Sequence, residues 1–113
     1  MATEEHNIQS RIQIALSKAG YKVFRTNVGT VETKDGRYFK TGLPKGFPDL
    51  MGFTPDNYIY FIEVKTPTGT ASKAQKDFHK MLQKQNVIHG IARSPEDALK
   101  IVKGELVGYG FEN

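Results

Sequence analysis

Residues 60–67 read Tyr60-Phe61-Ile62-Glu63-Val64-Lys65-Thr66-Pro67, or YFIEVKTP. The stretch opens as a strand with apolar side chains on both faces. Glu63 and Lys65 then bring charge to its end, where burial without a partner is expensive. Side chains on a strand alternate between faces. Glu63 and Lys65 therefore point one way and Val64 the other.

Working upstream, Asp49–Phe53 and Ile59–Lys65 read as two strands joined across Thr54-Pro55-Asp56-Asn57, a cluster of turn formers. An odd turn of about five residues places Asp49 across from Glu63 on the same face. An even turn separates them unless a bulge restores the phase. Two adjacent carboxylates repel, and a divalent cation removes that repulsion. Mg²⁺ favours hard oxygen ligands and keeps several waters, so Asp49, Glu63 and the backbone carbonyl of Val64 form a sufficient set. Such a cation lowers the pKa of a water and neutralises charge on a phosphate. Lys65 can orient the attacking water or stabilise the transition state. The set describes metal-dependent phosphodiester hydrolysis. The bland alternative is a solvent-facing salt bridge at a sheet end, with Asp49 a turn residue.

Around this pair the chain reads as alternating elements. Ile8, Ile12, Ala15, Leu16 and Ala19 fall at helical spacing between Thr3 and Ala19, and Gly20 can end that helix in a left-handed conformation. Tyr21–Thr26 alternates as a strand, and Lys34-Asp35-Gly36-Arg37 carries an Asp-Gly hairpin signal. Ser72-Lys73-Ala74-Gln75 matches a capping box for a helix to about Gln85. Val87–Ala92 is a further strand, and Ser94-Pro95-Glu96-Asp97 starts a last helix to about Lys103. The glycine-rich tail from Gly104 has no clear assignment. The predicted fold is a single α/β domain over 1–113, a mixed central sheet flanked by helices, in the order α-β-β-β-β-α-β-α.

Composition agrees with this reading. The chain has 113 residues, 38% hydrophobic content and a net charge of +4. That supports one core and leans towards a polyanionic partner. With no cysteine, disulfides, thiolate metal sites and a cysteine nucleophile are excluded. No apolar run approaches membrane-spanning length and the N-terminus is acidic, so no membrane association and a cytoplasmic location are expected.

Pro48-Asp49 followed by Glu63-Val64-Lys65 resembles the PD-(D/E)XK nuclease superfamily. The flanks narrow the resemblance. Gly46-Phe47-Pro48-Asp49-Leu50, Glu63-Val64-Lys65-Thr66-Pro67-Thr68-Gly69, Ser72-x-x-Gln75, Gly20-Tyr21-x-Val23-Phe24-Arg25 and Ala92-Arg93-Ser94 look like the VRR-nuclease domain of phage and repair proteins. The likeness runs from about Glu5 to Val102. It implies a restriction-endonuclease-like core, Mg²⁺ or Mn²⁺ dependence and DNA as substrate. It also implies a catalytic acid from the first helix, matched by Glu5 with Glu4 one residue away, and a role for Gln75 near the site. Small stand-alone members resemble Holliday-junction resolvases and work as homodimers, which suits branched DNA. For a phage-encoded chain the location is the host cytoplasm.

Lys73, Lys76, Lys80 and Lys84 share one helix face after the catalytic strand. With the loop residues Arg25, Arg37, Lys40 and Lys45 they are candidates to grip DNA phosphates, although a lysine stripe is also an ordinary solvated face. His6, His79 and His89 show no ligand spacing and read as surface or core filler. Two readings compete with a junction nuclease: a flap or restriction-like nuclease on other DNA, and a non-catalytic DNA-binding module. Retention of Asp49, Glu63 and Lys65 argues against the second.

Overall fold

Ile8, Ile12 and Leu16 lie four residues apart and are buried on one face of α1 (Glu4–Lys18). Thr3 caps its start by accepting from the His6 amide. Its end follows from Gly20, whose φ of +93° lets the Tyr21 and Gly20 amides reach the Leu16 and Ser17 carbonyls. The computed structural model describes residues 3–27, 30–32, 34–40 and 42–111. Over these the remaining elements are β1 (Lys22–Arg25), β2 (Thr30–Glu32), β3 (Tyr38–Lys40), β4 (Leu50–Phe53), β5 (Ile59–Val64), α2 (Lys73–Lys84), β6 (Ile88–Ala92), α3 (Pro95–Lys103) and β7 (Val107–Tyr109).

Five strands form one mixed sheet in the order β1-β4-β5-β6-β7. β1, β4 and β5 pair antiparallel; β5, β6 and β7 run parallel, linked by α2 and α3. This is the expected α/β sheet flanked by helices. One face packs Leu50, Tyr60, Ile62, Val64 and Ile88 against Ile12 and Leu16 of α1 and Ile101 of α3. The other face meets α2, where Phe78 packs edge-on to Phe61 and Phe47. Burial on both sides explains why β5 is almost continuously apolar.

The structure has more strands than the expected order. Before α2 there are five rather than four, because the Asp-Gly turn joins two short strands that pair only with each other as a separate ribbon. The tail adds β7, made possible by the positive φ of Gly108 and Gly110. Met81, which helical spacing groups with Phe78 and Leu82, is 43% exposed; the buried positions of α2 are His79 and Leu82.

Candidate active site

β4 ends at Phe53 and β5 begins at Ile59, leaving the five residues 54–58 between them. This is the odd length that brings Asp49 to face Glu63. The ladder pairs Leu50 with Ile62 and Met51 with Phe61, so one step outward sets Asp49 opposite Glu63 on the α2 side. Asp49 is fixed further by its own carboxylate, whose Oδ2 accepts the Val64 N–H at 2.8 Å. Behind it the Thr26 amide and hydroxyl both donate to the Asp49 carbonyl, and the hydroxyl also to that of Pro48. The approach is held by Phe47, wedged against Phe61 and Phe78. Gly46 lies so close to α2 that a Cβ there would stand 2.3 Å from the Ala74 carbonyl oxygen.

Glu63 is only 3% exposed. Its Oε1 accepts from Gln75 Nε2 at 3.0 Å. Gln75 Oε1 in turn accepts the Ser72 amide at 2.8 Å, completing the capping box of α2. Because the Ser72 N–H can only donate, the amide orientation is fixed and Nε2 must point at Glu63. One side chain thus starts the helix and orients the acid. Burial first, then a hydrogen bond and repulsion from Asp49, push the Glu63 carboxyl up to about 10; Lys65 opposes this and Glu5 adds to it. Asp49, Lys65 and Glu5 all stand within electrostatic reach of Glu63, and Glu5 rather than the exposed Glu4 is the helical neighbour. Among the described residues, no three His, Cys, Asp or Glu side chains are gathered closely enough to hold a metal ion. The intimate pair is Asp49 and Glu63.

A family model for the VRR-NUC domain matches residues 3–96, the span containing every one of these groups. The chain belongs to the VRR-NUC domain family. It therefore carries a nuclease fold of the DNA-processing class. Two solved structures agree in fold. One described as a VRR_NUC domain has a TM-score of 0.67 at 23% identity, over 93% of this chain and 100% of that one. The other, a VRR_NUC domain protein, has a TM-score of 0.66 at 18% identity, over 98% of this chain and 96% of its own. No curated protein matches the chain.

Within this VRR-NUC domain two further residues shape the site. Thr26 anchors the Pro48-Asp49 backbone. Arg93 Nη1 donates to the carbonyls of Thr66 and Gly69 at 2.6 and 2.7 Å, holding the loop that follows Lys65. Val64 sits between the two charges, its side chain in the α1–α3 layer and its amide committed to Asp49. The basic candidates form no single cluster with the carboxylates. Arg25 and Lys45 are exposed on the segments flanking Asp49. Arg37 is ion-paired with Asp35 in the ribbon turn, and the Lys40 side chain lies outside the described residues. Lys73, Lys76, Lys80 and Lys84 are exposed along α2, with Lys73 bonded to Asp77.

Proposed function

We propose that this VRR-NUC domain is an endonuclease that hydrolyses phosphodiester bonds in branched DNA, uses Mg²⁺ or Mn²⁺, and works as a homodimer. The observation that carries the reading is the pairing of half-buried Asp49 with buried Glu63 beside Lys65. The donor set suits a hard divalent cation, since Mg²⁺ needs only one or two carboxylates and keeps its remaining waters. Asp49 and Glu63 would hold it, with the Val64 carbonyl as a further oxygen donor; Glu5, within electrostatic reach of Glu63 but not gathered with the pair, would add negative charge from the first helix. The bound cation would supply Lewis acidity, acidifying a water and offsetting charge on the phosphate.

The chain's own residues divide the rest of the work. Gln75 keeps the Glu63 carboxyl aimed at Asp49 rather than free to rotate. Lys65 donates to the attacking water or to a phosphate oxygen as negative charge grows there. Water oxygen forms the new bond to phosphorus, the bond to the leaving oxygen breaks, and that oxygen takes up a proton. Exposed Lys76, Lys80, Arg25 and Lys45 contact backbone phosphates without reading bases, which fits recognition by shape.

The test is cleavage of labelled four-way, forked, flapped and linear duplex DNA with Mg²⁺ or Mn²⁺. Four-way DNA is expected to be cut fastest. Lys65→Ala is expected to lose at least about a hundredfold in rate while keeping most of its DNA affinity. A wild-type protein that binds but cuts none of the four, or a Lys65→Ala variant that cuts normally, defeats the proposal.

A further inference from the structure

A cleft of about 470 Å³ opens over Ile91, the β6 partner of Glu63, between the loop after Lys65, the flank of α2 and the tail after β7. Lys76, Lys80 and Arg93 line it, with no acidic side chain among the lining residues. None of the three forms an ion pair among the described residues. Arg93 is pre-positioned, because its Nη1 is tied to two loop carbonyls that leave its charge uncompensated. The floor is different in kind. His79 and Phe111 stack with ring centroids 3.9 Å apart and planes 2° from parallel.

That floor is uncharged. The Val87 carbonyl, 2.7 Å from His89 Nδ1, can only accept, so a neutral His89 carries its proton on Nδ1 and leaves Nε2 bare. His79 Nδ1, 2.7 Å from that bare nitrogen, must then be the donor. One proton then serves the shared bond, the arrangement that two neutral imidazoles allow. Burial holds both below the ordinary histidine range, which agrees.

A cationic rim over a neutral aromatic floor is more than a simple anion needs. It matches a group with a charged phosphate and a flat apolar face. We propose that the cleft takes one nucleotide of a DNA strand, its phosphate on Lys76, Lys80 and Arg93 and its base stacked on Phe111. The choice of DNA rests on the nuclease reading; the cleft's chemistry does not. Ile91 of the cleft wall is the β6 partner of Glu63, and Lys76 follows Gln75, which touches Glu63, so the cleft adjoins the carboxylates.

The experiment measures binding of a fluorescent single-stranded oligonucleotide to the full chain by anisotropy in EDTA, where no cleavage intervenes. A fully abasic strand of equal length serves as the comparison. Phe111→Ala is expected to weaken binding of the normal strand about tenfold or more and to leave the abasic strand unchanged. Phe111→Tyr, which keeps the stack, is expected to stay within about twofold. Lys80→Ala is expected to weaken both strands and to lower the salt slope by about 0.7. Equal loss on both strands for Phe111→Ala, or no loss on either, overturns the proposal. Should Phe111→Ala fail to fold, wild-type protein binding the two strands equally overturns it instead. A protein that cuts DNA without the Phe111 effect sinks the cleft alone; one that shows the effect and cuts nothing sinks only the nuclease reading.

Discussion

At neutral pH the Glu63 carboxyl keeps its proton, because burial and the neighbouring Asp49 lift it to about 10. An unfolded glutamate releases that proton near 4.5. The folded chain therefore holds the extra proton between those values, and stability falls as pH rises through the window. Without divalent cation, wild-type stability should decline from pH 7 to pH 9 with a slope of at most about 1.4 kcal/mol per unit. Glu63→Gln should remove that slope and be the more stable protein at pH 9, as measured by urea denaturation in EDTA. His79 and His89 act in the opposite sense, losing stability only below the ordinary histidine range, so they do not disturb this window. The proposed cation would reverse the preference, since it would need the carboxylate. Titration with Mn²⁺ at pH 8 should release about one proton per site, read from calorimetry in buffers of different ionisation heat. An equal apparent enthalpy in all buffers would contradict a protonated Glu63. Asp49, Glu63 and Lys65 were legible in the sequence as a set, through strand alternation and the motif resemblance, while the odd turn that brings Asp49 to Glu63 was one of two open possibilities. Thr26 and Arg93 were not, because their partners lie 22 and 27 residues away and no local pattern encodes such a bond.

The elements were legible wherever a cap or a period announced them. All three helices close through a residue in left-handed conformation: Gly20, Asn86 and Glu105. The first two residue types are suited to it, and Gly20 was readable as a stop. Glu105 is not suited, which is one reason the tail had no clear reading. At φ +51° its Cβ crowds the backbone, and its carboxylate sits at the negative end of the α3 dipole. Glu105→Asn should therefore stabilise the domain by about 1 kcal/mol, raising Tm by about 4 °C. Thermal unfolding checks this; no gain would mean the surrounding turn already relieves the strain. In the opposite direction stands Gly52 in β4. A Cβ there would lie 1.7 Å from the Lys22 carbonyl oxygen and 2.7 Å from the Tyr60 hydroxyl. Gly52→Ala should part β1 from β4 and lose several kcal/mol, about 3 or more, by the same assay. That demand was invisible in LMGF, where glycine reads only as a weak strand residue.

At the scale of the molecule, the sheet is covered unevenly. α1 and α3 close one face, while on the other α2 reaches Phe61 through Phe78 but leaves the outer rows open. Phe24 is 52% exposed on the edge strand β1, and Phe53 and Ile59 of the next row are 43% and 37% exposed. Register puts Phe24 beside Met51, and Phe53 beside Ile59, on that same face. An exposed apolar face at an open sheet edge is the surface on which the proposed homodimer would form. A twofold interface is self-complementary, so each buried Phe24 counts twice. With about half of each side chain left to bury, about 0.8–1.5 kcal/mol per copy, and a charge put in its place, Phe24→Glu should weaken self-association by about tenfold or more. Light scattering coupled to gel filtration should then give the monomer mass for the variant and the dimer mass for wild type. Because Phe24 is already half in solvent, the variant should keep its fold, checked by an unchanged circular dichroism spectrum. Its cleavage of four-way DNA should shift from paired cuts to single nicks, since one carboxylate site serves one strand. A wild-type chain that stays monomeric at high micromolar concentration with DNA present would remove the dimer and leave the active site reading intact.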